Sequence, residues 1–247
     1  MRSVRSTVWT LAAMAVITLG IAAIAGATVA SHWTTFSLSQ RRSFDPTAIS
    51  LRGLLFSQLI IGVLGVLVMS AEYGTGTIRA TFSAVPRRTT VLALKAAVFA
   101  AVTFVVGELL SFGAFFLGQS LLTSPAPHAT LTQPGVLRAV LSGGLVVTIL
   151  GLLALGLATI VRHSAGAITS YVGLLLVLPI VLQALPSSLG QPIMKFMPFD
   201  ISNAMTSVGH PFANGPSFSW DVGVALLCAY AAASLVIGGW MMVRRDA

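Results

Sequence analysis

Six apolar runs, each long enough to cross a lipid bilayer, constrain this chain more than any other feature. About 20 helical residues at 1.5 Å rise cover the ~30 Å hydrocarbon core. A helix is the economical way across, because it pairs every backbone group within itself. The runs fall at about residues 8–30, 51–71, 90–119, 136–161, 165–185 and 220–243. They predict an all-α, polytopic membrane protein, one transmembrane domain over residues 1–247. Charged residues make up 8% of the chain, where a soluble domain carries about 25%.

The first run follows Arg2 and Arg5 and is much longer than the 7–15 residues of a signal-peptide core, so it reads as a retained span. In it Ala22, Gly26 and Ala30 recur every four residues, a small-residue face for close helix approach. Residues 31–50, with Asp45-Pro46, read as a polar outer loop. With the N-terminus inside and six spans, the inner side holds Arg2, Arg5, Arg79, Arg87, Arg88, Lys95, Arg162, Arg244 and Arg245. The outer side holds Arg41, Arg42, Arg52, Arg138 and Lys195. Nine basic residues against five place both termini in the cytoplasm. The formal net charge of +8 is therefore topological, since no basic stripe with interleaved aromatics suggests nucleic acid. The single Cys228 lies within an apolar run and reads as a small core residue. No Cys and His stand at metal-ligand spacing.

Polar side chains inside spans are expensive and mark either packing devices or a route for cargo. The candidates are Gln58 in the second run, Glu108 in the third and Gln119 at its end. Glu108 reads as a hydrogen-bonded packing residue or as the lining of a path. Residues 186–219 are the longest stretch between runs. They carry five prolines but also Ile193, Met194, Phe196, Met197, Phe199 and Phe212. Such a segment is too apolar for a solvated loop. It predicts short helices in or dipping into the outer leaflet, with Lys195 and Asp200 at the water boundary.

Between the second and third runs lies a polar island, Glu72-Tyr73-Gly74-Thr75-Gly76-Thr77-Ile78-Arg79, continuing to Val85-Pro86-Arg87-Arg88. Ile78, Phe82 and Val85 fall on one helical stripe. Thr75 or Thr77 can cap its start and Pro86 ends it, giving a helix over about 75–85 on the inner surface. It reads as an anchor in the lipid headgroups or as a docking helix for a cytosolic partner. The chain has no G-x-x-x-x-G-K-[ST] phosphate loop, and no Ser-His-Asp set or carboxylate pair stands out. The chain is not expected to be an enzyme, and any nucleotide-driven motor would be another chain.

Six runs, both ends inside and the island Glu72 to Arg79 resemble the type-2 ABC transporter permeases, the membrane subunits of bacterial exporters. Glu72 to Arg79, Val85 to Arg88 and the terminal Arg244 to Ala247 are similar to an actinobacterial branch of that family; Phe44-Asp45-Pro46 and Arg162-His163 add to the likeness. The resemblance spans essentially the whole chain. It implies a plasma-membrane exporter whose island is the coupling helix that receives force from two copies of an ATPase subunit. Glu72 would stand at its entrance, with Arg79 and the Pro86-Arg87-Arg88 corner at or near the ATPase surface. It also implies ATP and magnesium bound on the ATPase rather than here, a second permease copy or paralogue as partner, contact with membrane lipid, and re-entrant helices before the last span. Family members often carry an amphipathic helix ahead of the first span. Only Met1 to Thr7 precede it here, so that helix is expected to be short or missing. The composition of the spans fits an amphipathic, drug-like or lipid-like cargo. An ATP-independent carrier using Glu108, or a non-transporting scaffold or sensor subunit, is the rival expectation.

Overall fold

The computed structural model describes residues 2–75, 88–208 and 217–245, and these are helical with no strand. The long helices are α1 (Arg2–His32), α4 (Leu54–Thr75), α5 (Arg88–Leu121), α6 (Val136–Val161) and α11 (Trp220–Arg245). Shorter ones are α2 (Leu38–Arg42), α3 (Pro46–Ser50), α7 (Ser164–Val172), α8 (Leu178–Gln183), α9 (Ser187–Met194) and α10 (Pro198–Met205). Among the described residues, six segments are long and apolar enough to cross a membrane: Ser6–Thr35, Pro46–Ala71, Thr89–Leu121, Val136–Val161, Ser164–Gln183 and Trp220–Arg244.

The region expected to be a polar loop over 31–50 is instead mostly helical. Ser37 and Gln40 form a reciprocal capping box that starts α2. Asp45 Oδ1 accepts from Thr47 N at 2.9 Å and Ala48 N at 3.1 Å, and Pro46 takes the first helical position of α3. The second span therefore begins at Pro46, through a 3₁₀ turn at Leu51–Gly53, rather than at 51.

Helix α6 is the hub. Its most apolar window is 72% buried, against 17–50% for the others. Glycines on several of its faces let neighbours approach to backbone distance. A Cβ on Gly151 would overlap Ile61 of α4 and Phe99 of α5, and one on Gly156 would overlap Ser234 of α11. On the flank, Gly26 of α1 sits against the Gly118 carbonyl of α5, as the small-residue face predicts. Thr18 and Ser57 hydroxyls meet at 2.6 Å across α1 and α4.

The fifth span is not a regular α-helix. Gly173–Val177, between α7 and α8, is a π segment in which Leu178 N bonds back to the Gly173 carbonyl. Pro179 follows, and it has no N–H to give to the carbonyl four residues earlier. A wider turn just ahead of a proline relieves that clash.

Cys228, expected in the core, is exposed on α11. The face of α11 that carries it points outward, where an apolar run in lipid needs no burial to be stable.

Candidate functional site

At one end of the bundle, called basal here, α4, α6 and α11 finish together. Helix α6 stops at Arg162, which adopts a left-handed conformation (φ 61°) and returns its N–H to the Ala158 carbonyl at 2.8 Å. That turn aims the guanidinium across the bundle. It lies over the Tyr73 ring of α4, 5.2 Å from the centroid, and Nη2 donates to the Met241 carbonyl of α11 at 3.3 Å. One side chain thus ties three helix ends, beside Tyr73 where the island begins. His163, exposed, caps α7 with Nδ1 accepting from Gly166 N at 3.4 Å.

Of the island, Glu72, Tyr73, Gly74 and Thr75 continue α4, of which Thr75 is the last residue. Arg88 opens α5, two residues before the expected start of the third span. Gly76, Thr77, Ile78, Arg79, Phe82, Val85, Pro86 and Arg87 lie outside the described residues.

The three intramembrane candidates part company. Gln119 is fully engaged in bracing the distal end. It donates to the Pro46 carbonyl at 2.9 Å and to Ser50 Oγ at 3.0 Å, and accepts from Ala129 N at 2.6 Å. Glu108 lies in the seam of α5 and α6, with its carboxyl group where a side chain on Gly144 would be. Neither of its oxygens meets a hydrogen-bond donor among the described residues. Gln58, 4% exposed, forms part of a cavity wall, and its Oε1 accepts a long hydrogen bond from Ser202 at 3.4 Å. The Gln58 carbonyl accepts from the fully buried Tyr171 hydroxyl at 2.9 Å, and Gly62 makes room for that ring.

The cavity has a volume of about 570 Å³ and lies at the distal end, within the size range of small-molecule sites. Its walls come from α3, the start of α4, α8, α9, α10 and the start of α11. The apolar surface is supplied by residues such as Leu51, Leu55, Met194, Phe199 and Trp220. Trp220 is fixed by its indole N–H donating to Ser142 Oγ at 2.7 Å. Asp45 Oδ2 accepts from Val208 N at 2.7 Å, tying the start of α3 to the segment after α10. Charged residues on the wall are Arg52, Lys195 and Asp200. Lys195 Nζ rests near the faces of Phe196 and Phe218, 5.2 and 5.3 Å from their centroids. Asp200 Oδ2 is buried and meets no hydrogen-bond donor among the described residues, and burial pushes the carboxyl up to about 6.

Sequence reading set Asp200 and Lys195 at the water boundary and treated Arg162 as part of a short turn. A carboxylate flanked by Phe199 and Ile201 is the signal that marks Asp200. Nothing in the sequence alone brings Arg162 to Tyr73. No protein-family model and no curated protein matches the chain.

Proposed function

We propose that this chain is the permease subunit of an ATP-driven exporter of the ABC type, moving an amphipathic, drug-like or lipid-like cargo across a bacterial plasma membrane. ATP hydrolysis belongs to a separate chain, present in two copies, and a second permease completes the route. The observation that carries the reading is the island Glu72 to Arg88, which joins two spans at the end of the bundle where Arg162 fastens Tyr73 and α11. A force applied to the island passes into α4 and α5 and, through Arg162, into α6 and α11. The cytoplasmic side of the island follows from the basic residues that gather there. Arg79, Arg87 and Arg88 steer docking onto an acidic surface of the motor, each contributing about 0–1 kcal/mol as an exposed pair. Ile78, Phe82 and Val85 fix the coupling helix so that motion is transmitted. Helices α9 and α10 are the short re-entrant pieces ahead of the last span.

The test is affinity purification of the tagged full chain from its native membrane. An ATPase with a phosphate-binding loop is expected to accompany it, with hydrolysis that responds to added amphiphile. Recovery of the chain with no nucleotide-hydrolysing partner would overturn the proposal.

One observation favours a second reading. Glu108 has two carboxylate oxygens in a helix seam that meet no hydrogen-bond donor among the described residues, as a proton-carrying residue of an ATP-independent carrier would. That reading requires proton-coupled flux from the chain alone in vesicles, lost in Glu108→Gln.

A further inference from the structure

We propose that the distal cavity is a binding site for an amphipathic organic cation, with Asp200 as the residue that selects its charge. A carboxylate in the first turn of a helix needs no ligand if it is solvated or capping. Asp200 is the third residue of α10, yet its Oδ2 is shut off from water and meets no hydrogen-bond donor among the described residues. The Asp200 carboxylate lines the cavity with one of its oxygens cut off from water, so its charge is under-solvated and a cation in the cavity gains by lying against it. The surrounding wall mixes aliphatic and aromatic residues with neutral polar ones such as Gln58, Gln183, Gln191 and Asn203, which suits an amphipathic body around the charge.

The other charged groups on the described wall are cationic and oppose this weakly. Arg52 is exposed, and its charge is screened by water. Lys195 is half-buried against two ring faces that spread its charge. Asp200, also half-buried, differs in having one charged oxygen shut off from water, where its charge is screened least. As a cargo site the cavity rests on the transport role proposed above, but as a binding site it does not.

Tetraphenylphosphonium is the probe, because it is apolar and its charge does not titrate. Tetraphenylborate, of the same shape and opposite charge, is the control. Binding to the purified full chain in neutral-lipid nanodiscs is measured above that of empty discs. At pH 8 the phosphonium is expected to bind and the borate is not. Asp200→Asn weakens the phosphonium by about tenfold or more, and Asp200→Glu restores it. In the unaltered chain, affinity falls roughly tenfold between pH 8 and pH 5, as a carboxyl with a pKa of about 6 takes up its proton. This last measurement needs no variant to fold. Equal binding of the two ions, or phosphonium binding that ignores both pH and Asp200, would overturn the proposal. If the chain binds the cation through Asp200 but purifies without an ATPase, the cavity assignment stands and the motor-driven reading falls.

Discussion

Asp200 illustrates how one residue's surroundings set a measurable property of the protein. Burial moves its carboxyl from 3.8 up to about 6, so the folded chain holds that proton more tightly than the unfolded chain. The sign follows: the group favours folding below about pH 4, and that contribution is lost as pH climbs through about 6. Asp200→Asn is therefore expected to raise the melting temperature of the detergent-solubilised protein at pH 8 and to leave it unchanged at pH 4. A variant that melts no higher than the parent at pH 8 would show the carboxylate to be compensated. The same residue thus trades stability for an unmatched charge, a pattern common at binding sites.

At the scale of the elements, the basal ends of α4, α6 and α11 are joined by one guanidinium. Its left-handed backbone makes a clean test possible, because glycine keeps that conformation without strain. Arg162→Gly is expected to leave folding nearly intact while freeing the helix ends. Spin labels at Leu67 and Val243, both exposed, should give one narrow distance with Arg162 present and a broad distribution without it, in a Cys228→Ser background. An unchanged distribution would mean that packing alone aligns the ends. The long helices were legible from the sequence because run length encodes them directly. The fourth run and helix α6 share the bounds Val136 and Val161, because Gly135 and Arg162 on either side take left-handed conformations that close the helix. The start of the second span was missed because Asp45-Pro46 was taken as loop chemistry when it was a helix cap. Cys228 was assigned inward for a deeper reason. In lipid the outer face of a helix is as apolar as its core, so hydrophobicity ceases to separate inside from outside. The cavity was illegible because its wall joins segments from Ala48 to Gly223, and no local pattern reports such a meeting.

For the whole molecule, six spans and a basic island predict a definite sidedness. With Cys228 replaced by Ser, a single cysteine at Ser39 of α2 should react with a membrane-impermeant maleimide in intact cells. One at His163 should react only after permeabilisation. Both positions are exposed, so reactivity reports the side of the membrane and not burial. The reverse labelling pattern would put the island outside and remove any cytosolic motor.

The wide turn at Gly173–Val177 bears on the same architecture. A π turn holds one surplus residue within an otherwise regular spiral, and each residue is worth about 100° of rotation. Everything after it is therefore out of phase with what comes before by that angle. Excising a single residue there would swivel Leu182 and Gln183 away from the chamber they help to enclose. The azimuth of that wall is thus set in part by a counting irregularity in the spiral, one position long.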